Sequence, residues 1–154
     1  MTESHHPAAL PPGASWLGWS WPPTPAATAA LEQLSPAAFA YLGDAIYELY
    51  VRSRYLLPPQ RLAAYHAQVV ACVRAEQQAA QLHQLTQYLT PSEQQWVRRG
   101  RNAAGRAPAR LSAAVYQQAS GFETLIGYLY LTAPQRLHDL FAHLEWEERS
   151  PTGA

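Results

Sequence analysis

Leu34-Ser35-Pro36-Ala37-Ala38-Phe39-Ala40-Tyr41-Leu42-Gly43-Asp44-Ala45-Ile46-Tyr47-Glu48-Leu49 is the stretch that decides the fold. Ser35 can cap the free amides at a helix start. Pro36 suits the first helical position, where its missing N–H is no loss, and Leu34 can staple against Phe39. Phe39, Leu42, Ile46 and Leu49 then recur at helical spacing and predict an apolar face.

The same grammar continues on both sides. Pro58-Pro59 ends this helix, and Arg61 to about Leu85, rich in Ala and Gln, predicts a single second helix with Val69 and Val73 inward. Thr90-Pro91-Ser92-Glu93 has the spacing of a capping box and opens a third helix toward Arg99. Gly100 to about Pro108 reads as a loop, and Leu111 to Leu131 as a fourth helix with Phe122, Leu125, Ile126 and Leu129 inward. Thr132, Pro134 and Gln135 start a last helix carrying Leu137, Leu140, Phe141 and Leu144. No sustained alternation predicts a strand, so the expected class is all-α.

Residues 1–33 differ in kind. Up to residue 25 they hold six prolines, Trp16, Trp19, Trp21 and His5-His6 without helical periodicity. We expect a partly flexible leader whose indoles can dock on the domain or on a partner. One domain over 34–148 and a short tail, 149–154, complete the expected organisation.

Composition narrows the function. Basic and acidic residues balance at 11 each, so no global charge advertises a polyanionic partner. Cys72 is the only cysteine, which excludes an internal disulfide and a cysteine-based zinc cluster in one chain and suits a reducing compartment. His66, His83, His138 and His143 lack a metal-ligand spacing. No apolar run approaches the roughly 18–20 residues that span a bilayer, and the N-terminus lacks the pattern of a signal peptide. A cytoplasmic, non-exported protein is expected.

Two carboxylates stand out. Asp44 lies inside an otherwise apolar helix beside Gly43, and a helix-interior glycine costs roughly 1 kcal/mol against alanine. Glu123 sits between Phe122 and Leu125-Ile126, one turn before Gly127, whose small size allows close approach. A solvated stripe or pairing with arginine accounts for either acid alone; the glycine–acid pairing on two helices points to function. Glu48, one turn after Asp44, can be an added ligand, support for the ligands from outside, or an ion pair with Arg52, and support for the ligands is the role expected. Hard oxygen donors of this kind suit Mg²⁺, with Mn²⁺ the alternative, since Mg²⁺ usually takes only one or two protein carboxylates.

All 11 basic residues are arginines, and Arg98, Arg99, Arg101, Arg106 and Arg110 fall in one stretch. With Asn102, Gly100 and Gly105 they form a segment suited to phosphate, because guanidinium binds phosphate bidentately and stays charged. The helix dipole accounts for Arg98 and Arg99, but not for the charge beyond them. The glycines are no P-loop, since Lys-Ser/Thr does not follow.

Leu42-Gly43-Asp44-Ala45 followed by Glu48-Leu49 resembles the signature helix of the ribonuclease III catalytic domain, and Phe122-Glu123-Thr124-Leu125-Ile126-Gly127 resembles its second acidic motif. Tyr41–Ala45, Arg98–Asn102 and Phe122–Tyr128 together are similar to the mini-ribonuclease III branch, over roughly Leu34 to Glu148. Further acids of ribonuclease III proper are replaced by Ala37, Ala40 and Ser120, a reduced set that the mini-enzymes share. The resemblance implies Asp44 and Glu123 as catalytic metal ligands, and a homodimer built near the signature helix. It implies cleavage of both strands of double-stranded RNA, leaving 5′-phosphate and 3′-hydroxyl ends. The implied substrate is precursor large-subunit ribosomal RNA. With six residues after Glu148, RNA is expected to be held by the catalytic domain itself, through Arg98, Arg99, Arg101, Asn102 and Arg106. The competing expectation is a ribonuclease III-like module without catalysis that binds RNA or the ribosome.

Overall fold

The computed structural model describes residues 30–146. Most of the expected leader, with its three tryptophans, and the tail lie outside the described residues. The helices are α1 (Pro36–Tyr55), α2 (Leu62–Val73), α3 (Ala75–Leu85), α4 (Pro91–Ala103), α5 (Ala113–Thr132) and α6 (Pro134–Phe141), with a 3₁₀ turn at Thr86–Tyr88. No strand occurs among the described residues, as the all-α reading expected.

The caps act as their residue types predict. Ser35 Oγ accepts from the Ala38 amide at 3.2 Å, with Pro36 in the first turn. Thr90 and Glu93 form the reciprocal capping box, at 3.2 and 2.8 Å. Ser112 caps α5 by accepting from Val115 N at 3.1 Å. Glu93 does more than cap: it pairs with Arg136 at 2.8 Å, and Arg136 also donates to Tyr88 O, tying α6 to the start of α4. That arginine is the main reason the Glu93 carboxyl is held below its usual range.

Helix α5 is central. Its buried residues include Phe122, Thr124, Leu125, Ile126 and Leu129, and α1, α3, α4 and α6 all pack on it. The buried row of α1 is Phe39, Gly43, Tyr47, Val51 and Tyr55, at a spacing of four. The expected face was Phe39, Leu42, Ile46 and Leu49; of these only Phe39 is buried, Leu42 and Ile46 are half-buried, and Leu49 is exposed. Phe39 belongs to the core, edge-on to Trp96 and Tyr128. Leucine and isoleucine marked the apolar side of α1, but Phe39, Gly43 and Tyr47 are the residues that meet α5.

Three boundaries differ from the expectation. The helix expected over 61–85 breaks at Arg74, which adopts an extended conformation (ψ 149°). A straight helix of that span would be roughly 37 Å long; the break lets α2 pack on α1 while α3 packs on α5. The loop expected from Gly100 begins only after Ala103, so Gly100, Arg101 and Asn102 are helical. Gly100 is buried, and a Cβ there would lie 2.3 Å from Thr124 Oγ1. A glycine that reads as a helix stop is thus a contact between helices. Finally, Thr132 ends α5, its hydroxyl donating back to Tyr128 O, and does not cap α6.

Candidate active site

The site is made by a helix crossing that only glycine permits. A Cβ on Gly43 would lie 1.8 Å from the carbonyl oxygen of Glu123, and one on Gly127 would lie 2.0 Å from the carbonyl oxygen of Phe39. The backbones of α1 and α5 therefore touch, and the acids next to that contact, Asp44 and Glu123, come together. This is the reason for the glycine beside each acid: what approaches so closely is the other helix.

Electrostatics record the juxtaposition. Burial first, and then the charge of Asp44, push the Glu123 carboxyl up to about 7, against the opposing effect of a hydrogen bond from Gln78. The Asp44 carboxyl is also raised, by burial and then by Glu48. A carboxylate raised by a neighbouring carboxylate in this way is poised for a cation, which removes the repulsion. Of the roles open to Glu48, the structure shows the ion pair: its Oε1 accepts from Arg52 at 2.7 Å, on the surface.

Among the described residues no group of three His, Cys, Asp or Glu side chains forms a metal cage. The donor set is a pair of carboxylates open to solvent on the Asp44 side. That fits Mg²⁺ or Mn²⁺, which complete their shells with water and substrate oxygens, and does not fit a closed structural site.

The arginines do not form one patch. Arg98 and Arg101 line a groove of about 420 Å³ between α3, α4 and α5, with His83, Gln94 and Gln118 beside them. Arg101 reaches this place along Gly121, where a Cβ would meet its Cγ at 2.9 Å. Arg99 faces elsewhere, stacking its guanidinium 4.1 Å over the Trp96 ring and bordering a second groove with Glu32 and Tyr128. Asn102 and Arg106 are exposed beyond them.

The ribonuclease III domain model matches residues 37–134, which hold both acids, their glycines and the whole arginine segment. The chain belongs to the ribonuclease III family. It is similar to the Mini-ribonuclease 3 of Thermosynechococcus vestitus, 56% identical over 77% of this chain and 78% of that one. The Mini-ribonuclease 3 of Synechocystis sp. is 52% identical over 86% of this chain and 93% of that one. A crystal structure of a protein from Fusobacterium nucleatum superposes with a TM-score of 0.67 at 25% identity, covering 73% of this chain and 92% of the other. The protein is an endoribonuclease of the ribonuclease III family.

Two residues of this ribonuclease III domain's site escaped sequence reading. Gln78 opposes the rise of the Glu123 carboxyl, and Gln81 accepts from the hydroxyl of buried Tyr47. In an Ala/Gln-rich helix a buried glutamine has the same letter as a solvated one. The only available signal was their separation of three, which places both on one face.

Proposed function

We propose that this ribonuclease III domain hydrolyses double-stranded RNA in a divalent-metal-dependent reaction, as a homodimer, with Asp44 and Glu123 holding the ion. Its natural substrate in this reading is precursor large-subunit ribosomal RNA in the cytoplasm, and its products carry 5′-phosphate and 3′-hydroxyl ends. The observation that carries the reading is the glycine-enforced meeting of Asp44 and Glu123, a cost to two helices that packing alone does not require.

When bound, Mg²⁺ or Mn²⁺ supplies Lewis-acid charge at the scissile phosphate. Asp44 and Glu123 hold it through carboxylate oxygens, and their negative charge keeps the site selective for a cation. Glu48, tied to Arg52, adds negative potential from outside. Arg98, Arg99, Arg101, Asn102 and Arg106 take phosphates and sugars of the duplex in this reading. The deep, narrow major groove of A-form RNA leaves backbone and shape as the readable features. Homodimer formation is supported by the side of α1 facing away from α5. Tyr41 is 87% exposed there, with exposed Leu49 on the same helix, an apolar surface suited to a two-fold contact beside Asp44.

The test is cleavage of a long RNA duplex with and without Mg²⁺. Asp44→Asn and Glu123→Gln should each abolish nearly all cleavage while leaving the circular dichroism of the folded chain close to wild type. Full activity in either folded variant overturns the site. Binding without cleavage by the wild-type chain in Mg²⁺ and in Mn²⁺ would instead make it a non-catalytic RNA-binding module.

A further inference from the structure

Phosphate contacts alone do not account for the groove between α3, α4 and α5. Its volume of about 420 Å³ lies within the range of roughly 300–1,000 Å³ found for sites that enclose small molecules. Buried Leu82 and Val97 belong to its floor, exposed Arg98 and Arg101 to its rim, and the amides of Gln94 and Gln118 stand beside them. No carboxylate lines it. Phosphates and sugars of a duplex are met by charged and polar groups, which leaves the apolar floor and the concave volume without a partner.

The polar groups around the groove are uncommitted. Among the described residues the ion pairs are Arg52–Glu48, Arg136–Glu93 and His138–Asp139, so Arg98 and Arg101 face no carboxylate partner. Gln94 Nε2 donates to Leu89 O at 3.2 Å, which holds that side chain at the groove and leaves its amide oxygen to accept. Gln118, half-buried on the wall made by α5, enters no side-chain hydrogen bond among the described residues. Two free cations, amide donors and acceptors, and an apolar floor thus converge on one concave volume. A nucleotide uses all three: its phosphate takes guanidinium bidentately, its base edge pairs with an amide, and its ring faces are apolar. In an RNA duplex the base edges are hidden in the deep, narrow major groove, and an unpaired nucleotide frees them.

We propose that the groove between α3, α4 and α5 binds one nucleoside monophosphate unit, with Arg98 and Arg101 on the phosphate and Gln118, together with Gln94, on the base edge. An unpaired nucleotide of the RNA and a free nucleotide carry this same chemistry; for the first of them the inference rests on the reading of the chain as an enzyme that cleaves RNA duplexes. Gln118 lies five residues before Glu123 on α5, roughly 7.5 Å along the helix axis. An unpaired nucleotide held here therefore sets where the RNA lies along the helix that carries the acid.

The experiment uses the full chain carrying Asp44→Asn, so that no RNA is cut. AMP is the monophosphate probe, because a glutamine amide matches donor and acceptor to the adenine edge, and inorganic phosphate is the same anion without a base. The side-chain amide resonances of Gln94 and Gln118 should move with AMP and stay in place with inorganic phosphate at equal concentration. Binding isotherms compare a fully paired RNA duplex with the same duplex carrying one unpaired adenosine, which should bind about 10-fold more tightly. Gln118→Leu should remove both that difference and the response to AMP. A preference for the unpaired adenosine assigns the groove to RNA; a response to AMP without that preference assigns it to a free nucleotide. AMP acting no more strongly than phosphate, with equal affinity for the two duplexes, overturns the inference, and so does a preference that survives Gln118→Leu in a folded chain. A chain that binds neither duplex overturns the RNA reading itself, and the AMP resonances then decide the groove alone.

Discussion

Helix α5 makes two glycine crossings, and they are built differently. Against α1, Gly43 and Gly127 each face backbone: the nearest atoms to an added Cβ are carbonyl oxygens, at 1.8 and 2.0 Å. Against α4, Gly100 faces the Thr124 side chain at 2.3 Å, and Gly121 faces both Arg101 Cγ and Val97 O at 2.9 Å. The first crossing places the carboxylates and the second places Arg101. Backbone cannot yield without moving a whole helix, whereas side chains can rotate. The acid pair therefore rests on the more rigid of the two contacts.

The sharpest way to break this comparison is to add one methyl group at each crossing. On an exposed helix, glycine to alanine stabilises by up to about 1 kcal/mol. Gly43→Ala and Gly127→Ala should reverse that sign, costing about 3 kcal/mol or more by overpacking, and should abolish cleavage by separating Asp44 from Glu123. Gly121→Ala should cost less, about 1–2 kcal/mol, because Arg101 Cγ can move and the backbone contact, Val97 O at 2.9 Å, is much longer than those at Gly43 and Gly127, and it should retain cleavage. Gly105, with nothing within 4 Å of an added Cβ, is the neutral control. Denaturant unfolding and duplex cleavage check the series; equal losses at Gly43 and Gly121 would remove the distinction.

A smaller effect concerns the cost of the acid pair in the metal-free chain. Glu123 keeps its proton in the folded state up to about 7, while the unfolded chain releases it near the ordinary value of 4.5. Between those values the folded state binds more protons, so stability falls as pH rises through the window. The melting temperature of metal-free protein should therefore decline from about pH 4.5 to about pH 7. Glu123→Gln should remove most of this decline, and Mg²⁺ should offset it at the upper end by favouring the charged carboxylate. Differential scanning calorimetry across the pH series, with and without Mg²⁺, checks all three statements.

The smallest effect separates the arginines that the second crossing divides. Arg98 and Arg101 share one groove, while Arg99 stacks on Trp96. In an Asp44→Asn background, replacing Arg98 and Arg101 with alanine should weaken duplex binding and flatten its salt slope by roughly one unit or less per lost phosphate contact. Arg99→Ala should flatten the slope less and lower the melting temperature, since it loses a cation–π contact of roughly 0.5–1 kcal/mol. Binding isotherms over a salt series decide it: an unchanged slope in the Arg98/Arg101 variant takes that groove out of the RNA surface.

What the sequence by itself determined is local. Ser35-Pro36 and Thr90-Pro91-Ser92-Glu93 start helices wherever they occur, because a cap satisfies amides within the same few residues. The oddity of Asp44 beside Gly43, and of Glu123 a turn before Gly127, was also legible, because each violates a preference of its own helix. Only the tertiary structure decided what the glycines were for. Gly100 reads as a helix stop and is a helix contact, since Thr124, which makes it so, is 24 residues away. Arg74 breaks a stretch of good helix formers with no local signal, because the break serves two different partners, α1 and α5. Gln78 and Gln81 became site residues for the same reason: burial is a property of neighbours distant in the chain, and a polar side chain shows its purpose only when the group it holds is in view.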